Sequence, residues 1–467
     1  MLFRDLPGHR RFLASAYLLL ALPLILLCVF LTPPFQVADE ENHFLRATQI
    51  ARGEFVAARL GADNAGGLVD GGAAWLAHAF DGLKFHPERR RDVAAEQELG
   101  RISWGAVPPV VAGFGNTAIY PPFAYAPVAA GLRLGRAFRM PILQSLLLAR
   151  LLNGLACLAL ATAALGLARR GRLLLFAVLI QPMALSLFAS CSQDGPVIAL
   201  AALAAALLTR VAAPEGAGGT ASLLLAGLAL GVVAAAKPPY VFLALVLPAA
   251  ALAAPAGLRG WFARLVPGLV ALGLALLVLA GWEVIGALPA KVPFRPGDGV
   301  SIGGQLAWLA ASSGRAIGVA ATTLRQYGRD YAEQFVGVLG WLDTRLPPAM
   351  YSLGAASMLV AAGAGLFSPE GGARGQAGLR LSAAAAMLAA VGGVFGALYL
   401  SWTPVGAAAV DGVQGRYLLP VAAFLPLLLG PPGLRPSPVV PVARLLLLAY
   451  AAALLWVLPM TLLSRYG

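Results

Sequence analysis

The chain is divided into apolar stretches of roughly 16–22 residues, each closed by Arg, Pro or Gly. A helix needs about 20 apolar residues to cross a bilayer core. In hydrocarbon every backbone N–H and C=O must be paired inside the protein, which leaves helices and closed barrels as the spanning structures. Barrel strands alternate apolar and polar residues at period two, and no such alternation runs through these stretches. Hydrophobic residues are 59% of the 467, charged residues are 12%, and the mean hydropathy is +0.79. A soluble chain could not cover that much apolar surface. The fold class expected is all-α, a polytopic transmembrane helical bundle forming one integral membrane domain over 1–467.

The net charge of +13 does not point to nucleic acid. The arginines cluster at the ends of apolar stretches, where positive charge marks cytoplasmic loops, and no basic stripe is interleaved with aromatics. Cys28, Cys157 and Cys191 lie in or beside apolar segments and suggest neither a disulfide framework nor a CxxC metal site. The first stretch, Phe12 to Phe30, follows Arg10 and Arg11 as a signal peptide would. It lacks a small-x-small cleavage site before Pro33 and is expected to stay as the first span.

With Arg4, Arg10 and Arg11 inside, the N-terminus is cytoplasmic and the long polar loop 32–140 is extracytoplasmic. Spans are expected near 12–31, 142–168, 173–190, 196–210, 221–236, 239–256, 265–285, 349–367, 380–400, 417–430 and 444–463, about eleven in all. The stretch Tyr120–Phe138 is broken by Pro121, Pro122 and Pro127 and reads as an interfacial or re-entrant helix. If it crossed, the next span could not end at Arg169, Arg170 and Arg172 on the cytoplasmic side. The pair 221–236 and 239–256 is short and hinges on Lys237-Pro238-Pro239, with an incomplete crossing as the alternative reading. A second outer loop is 286–348 and a third runs from Ser401 to Arg416, with the C-terminus outside and no repeat of fixed period. The localisation expected is a multi-pass protein of the bacterial inner (plasma) membrane.

Polar residues gather at the outer ends of these spans: Asp39 to His43, Asp194, Lys237, Asp343, Arg345, Asp411 and Arg416. A shared outward cavity accounts for them. On a helix, Asp39, His43 and Arg46 would share a face at i, i+4 and i+7. A carboxylate beside an imidazole suits a general base or a metal ligand. The plainer reading makes Asp39 an N-cap and Glu40 and Glu41 dipole partners. Arg416, after Gln414 and Gly415, is placed to grip a lipid phosphate, or else to snorkel. Lys237 between two apolar halves is either functional or a snorkelling helix end. Asp194 is either part of the site or an N-cap, and His78 and His86 read as loop surface. No Walker loop, GxSxG, HExxH or dinucleotide fingerprint is present.

An acidic pair after the first span, Tyr120-Pro121-Pro122, a span ending in Arg-Arg and a Lys-Pro break together resemble the GT-C superfamily of membrane glycosyltransferases. Four pieces resemble more closely the bacterial domain-of-unknown-function family 2142: Asp39 to Phe44, Tyr120 to Pro122, Gly340 to Pro347, and Trp402 to Gly406 continuing through Gly412 to Tyr417. Ala38 stands where members often carry Pro. The resemblance implies a GT-C-like bundle that transfers a sugar from a polyprenyl-phosphate donor to a cell-envelope glycan or lipid. It implies Asp39 as catalytic base, with Glu40 and His43 beside it and a divalent metal at the acidic loop as an option. The substrate would meet Arg416, Lys237, Tyr120, Asp194, Asp343, Arg345 and Gln414. A flippase or transporter of lipid-linked sugars and a non-catalytic assembly protein are the competing readings. Transporters of that kind are often built on internal repeats.

Overall fold

The computed structural model describes residues 7–213, 218–253, 258–295, 297–366, 374–429 and 439–467. Arg4, Arg435 (likewise expected on the cytoplasmic side), and the span ends expected at 254–256, 367 and 430 lie outside the described residues. The molecule is an α-helical membrane bundle with two small sheets outside its spans. Among the described residues seven helices are long and apolar enough to cross a membrane: Phe12–Leu31, Ile142–Leu167, Asp194–Val211, Gly219–Ala236, Gly260–Ala290, Gln376–Ser401 and Val439–Tyr466. Pro348–Leu366 adds a helix of 19 residues.

The other three expected spans are broken. The stretch 173–190 is two short helices, Arg172–Leu179 and Pro182–Phe188, hinged at Gln181. Proline supplies no N–H and disfavours helical geometry in the residue before it. Gln181 closes the break, donating to the Ala177 carbonyl at 2.8 Å and accepting from the Tyr450 hydroxyl at 2.9 Å. The stretch 239–256 begins as the 3-10 helix Pro238–Leu245 and continues as Val246–Leu252. The stretch 417–430 is built of Gly415–Leu418, Leu419–Ala422 and Leu425–Leu428. Irregular backbone is tolerated at membrane depth only where protein covers it. Residues 173–190 and Leu419–Phe424 are accordingly buried within the bundle.

Segment ends collect at two poles. At one, the Arg170 guanidinium donates to Gln376 (2.8 Å), to the Leu429 carbonyl (3.2 Å) and to the Ala212 carbonyl (3.4 Å), while Gln376 donates to Ala212 and Ala253. At the other, Asp39, Asp194, Lys237 and Arg416 meet. The loop between the first and second spans sits at this second pole. It holds a three-stranded antiparallel sheet, Ala58–Arg59, Ala65–Val69 and Val110–Gly113, with Gly66 opposite Gly113 and Val69 opposite Val110. The Tyr120–Phe138 stretch forms Pro122–Tyr125 and Ala126–Ala137. The latter's 12 residues reach about 18 Å, short of the ~30 Å core. It lies against Ile142–Leu167 closely enough that a Cβ on Gly131 would stand 2.4 Å from Ala149 Cα.

Candidate functional site

Asp39 immediately precedes helix Glu40–Ala51 and adopts φ 64°, ψ 8°, with no capping bond from its side chain. That left-handed conformation is uncommon for a residue with a Cβ and marks positions held by their surroundings. It turns the Asp39 side chain away from the regular helical direction, while the Asp39 carbonyl still accepts the first helical bond from the His43 N–H at 3.1 Å. The carboxylate turns to Arg416 instead: Arg416 Nη2 lies 2.6 Å from Asp39 Oδ2, and Nη1 donates to the Ala38 carbonyl at 3.2 Å. Asn116 donates to Asp39 Oδ1 at 3.5 Å.

Arg416 Nε lies 3.7 Å from Asp194 Oδ2, and the other Asp194 oxygen is 2.7 Å from Lys237 Nζ. Lys237 also stands over the Tyr417 ring at 4.2 Å. Asp39, Arg416, Asp194 and Lys237 therefore form a charge-balanced chain joining four distant segments. Asp194 occupies the first turn of its helix, and its carboxylate is spent on these cations rather than on capping.

The chain borders a cavity of about 280 Å³. Asp39, Asn116, Lys237 and Gln414 give it a polar rim, while Pro239, Tyr240, Val394 and Leu398 give apolar walls. Tyr120, Trp402 and Tyr417 complete it with aromatic faces. Arg416 stands behind Asp39, its side chain 3% exposed against 32% for the carboxylate. Gln414 Oε1 and Arg416 Nε are buried without a hydrogen-bond partner.

The rim is fixed by helix Arg315–Gly337. Its Gln334 accepts from the Gly415 N–H at 2.8 Å and its Thr323 from the Val410 N–H at 2.9 Å. A Cβ on Gly415 would stand 2.1 Å from the Tyr331 carbonyl oxygen, so only glycine fits there. Gly412 has φ 78° and lies against Trp402.

Of the other candidates, His43 adjoins the site behind Tyr120, and the rest lie elsewhere. Glu40 forms a fully buried pair with Arg150 (2.8 and 2.5 Å) and accepts from the Cys191 N–H at 2.9 Å. His43 is buried, 2.5 Å from the Tyr125 hydroxyl and stacked on Tyr120. Burial lowers its pKa to about 4, so the imidazole is neutral. Asp343 pairs with Arg465 at 3.2 Å, and Arg345 pairs with Asp330 and Glu333 at the surface. The hairpin that carries them, Val338–Leu339 with Thr344–Arg345, instead supports the acidic loop. Its Trp341 donates to the Phe35 carbonyl at 3.0 Å and lies under Lys84. His78 and His86 are exposed beside Asp81 and Glu88.

Asp39, Glu40 and Glu41 thus turn to three different cations, Arg416, Arg150 and Lys84. Among the described residues no three His, Cys, Asp or Glu side chains are placed to share a metal ion. Sequence reasoning missed Arg150, Asn116, Tyr125 and Tyr240. Tyr240 donates to the Tyr417 carbonyl at 2.8 Å. Arg150 carried a usable signal, because a charge inside an apolar span needs a partner.

A family model described as "Predicted membrane protein (DUF2142)" matches residues 22–425, and the chain belongs to that family. No curated protein and no solved structure matches it.

Proposed function

We propose that this member of the DUF2142 family is a membrane glycosyltransferase. It transfers a sugar from a polyprenyl-phosphate-linked donor to a cell-envelope glycan or lipid acceptor at the outer face of the bacterial inner membrane. One observation carries the reading: Asp39, a carboxylate with no capping role, and Lys237, an ammonium, face the same partly apolar cavity.

The chemistry needs both. Asp39 takes the proton from an acceptor hydroxyl as that oxygen attacks the anomeric carbon. The bond between that carbon and the phosphate oxygen breaks, and the electron pair leaves on the lipid phosphate. Lys237 stabilises the charge arriving there. The apolar walls formed by Pro239, Val394 and Leu398 receive the first part of the lipid chain. Arg416 acts through Asp39 and is a positioning residue. Burial pushes the Tyr120 phenol well above its ordinary pKa, so it enters this chemistry as an O–H donor, not a base.

The test is a reconstituted assay supplied with a panel of synthetic prenyl-phosphate monosaccharides and a membrane-lipid extract as acceptor. Wild type should release prenyl phosphate from one of them. Asp39→Asn should lower the rate by about 10²–10⁴-fold, the usual contribution of a general base, while still binding the donor. Near-normal release by Asp39→Asn would remove the catalytic assignment. Binding without release by wild type would favour a lipid-sugar transporter.

A further inference from the structure

A second cavity lies across helix Arg374–Ser401 from the first. It is an apolar groove of about 770 Å³ between that helix, Arg315–Gly337 and Pro348–Leu366. Val394, Ala397, Leu398 and Ser401 face the polar-rimmed cavity, whereas Leu388, Val391, Phe395 and Tyr399 face the groove. The segment after this helix is divided in the same way. Val410 and Leu418 line the groove, and Gly412, Gln414 and Tyr417 line the cavity. One helix and one short segment therefore serve as the common wall of two sites.

Three of the groove's lining residues are helix-interior glycines, Gly328, Gly392 and Gly396. Glycine inside a helix is unfavourable relative to alanine, because it loses more backbone entropy on folding. The usual return is close helix approach, as at Gly227, where a Cβ would stand 2.4 Å from the Ala271 oxygen. Gly328, Gly392 and Gly396 have no atom within 4 Å of that position. These glycines widen the groove instead of packing a neighbour.

On its membrane-spanning wall, helix Arg374–Ser401, the groove covers about one leaflet. From Leu388 to Tyr399 it follows its helix for about 16 Å, roughly half of a ~30 Å hydrocarbon core. It ends at the pole where the polar-rimmed cavity opens.

We propose that the groove holds the hydrocarbon chain of a lipid-linked acceptor. Its chain lies in the leaflet nearest the cavity, and its headgroup crosses the Val410–Leu418 segment to bring a hydroxyl to Asp39. The acceptor role rests on the glycosyltransferase reading, whereas occupancy of the groove by a lipid chain does not. Donor and acceptor then approach from opposite faces of helix Arg374–Ser401 and meet at its end.

The test uses the full chain in phosphatidylcholine nanodiscs doped with phosphatidylglycerol bearing a diazirine midway along one acyl chain. After illumination, adducts on Phe335, Met358 and Phe395 should exceed those on lipid-facing Leu381 at least fivefold. Gly392→Leu with Gly396→Leu, which meet open space, should lower the groove adducts about fivefold and leave the thermal midpoint unchanged. In the transfer assay that double variant should keep donor binding and lose sugar from the lipid fraction. Equal labelling of groove and Leu381 means annular lipid only and overturns the site. Absent labelling with a dimer on size exclusion means that a second copy covers the groove, and it overturns the site equally. Transfer only to a water-soluble acceptor overturns the acceptor role. Labelling needs no turnover, so a chain without transferase activity would still show whether a lipid chain occupies the groove.

Discussion

Asp39 and Glu40 are adjacent, and each pairs with an arginine far along the chain, but the two pairs are built differently. Around Glu40 everything is used. Arg150 Nε and Nη2 go to its two oxygens, Cys191 N–H completes one of them, and Arg150 also donates to the carbonyls of Val29, Thr32 and Pro33. Both side chains are wholly buried. Around Asp39 one face stays open to the cavity, and Arg416 Nε and Gln414 Oε1 lack hydrogen-bond partners. A closed pair fixes the exit of the first span; an open pair leaves polar capacity for a substrate.

The largest effect expected from this contrast is on folding. Arg150→Met would strand the Glu40 charge, and removing one partner of a buried pair costs about 3–5 kcal/mol. Folded yield on size exclusion should collapse, and adding Glu40→Leu should recover much of it, because the pair can be replaced by packing. Survival of Arg150→Met at wild-type yield would break the comparison.

Next in size is Arg416→Lys. A lysine cannot reach Ala38, Asp39 and Asp194 together, and a charged hydrogen bond contributes about 1.5–3 kcal/mol. The prediction is a kcat lowered on the order of 10- to 100-fold with KM for the donor nearly unchanged. A raised KM at constant kcat would return Arg416 to the donor phosphate, the role expected from sequence.

Two titrations sharpen the comparison further. Burial raises the Glu41 pKa from 4.5 to about 7, with Lys84 pulling the other way. Between those pH values the folded state holds a proton that the unfolded chain has lost, so this group lowers stability as pH rises. Burial lowers the His43 pKa from 6.5 to about 4, so in that window the unfolded chain binds the extra proton and stability rises with pH. Glu41→Gln should remove the falling contribution and steepen the rise in thermal midpoint from pH 4.5 to 6.5. An unchanged profile would show that Glu41 does not titrate in this range. Smallest of all, Arg345→Ala breaks exposed pairs with Asp330 and Glu333 and should change stability by less than about 1 kcal/mol.

The bundle was largely legible, because apolar length and arginine spacing mark membrane helices directly. The break at Pro238 was marked by Lys237-Pro238-Pro239, whereas those at Gln181 and after Gly415 were less legible. Hydropathy gives similar scores to a regular span and to an apolar stretch built of short helical and 3-10 pieces, so it marks the stretch and not its break. At the site, the sequence pointed to Asp39, Lys237, Asp194, Tyr120 and Gln414, and these converge on the cavity or the charge chain beside it. His43 adjoins the site through Tyr120, but its ring nitrogen meets the Tyr125 hydroxyl, because the left-handed Asp39 turns its carboxylate to Arg416. Asp343 and Arg345 drew attention as polar groups in a distinctive motif, but partners supplied by tertiary structure, Arg465 and Glu333, decide where they point.

The central claim is that the Asp39–Lys237 cavity holds a lipid-phosphate sugar. Mass spectrometry of lipid extracted from purified wild type, Asp39→Asn and Lys237→Ala tests it directly. A prenyl-phosphate-linked sugar should accompany wild type, be retained or enriched on Asp39→Asn, where turnover stops, and be depleted at least tenfold on Lys237→Ala. Its absence from all three, or equal amounts on Lys237→Ala and wild type, would contradict the account.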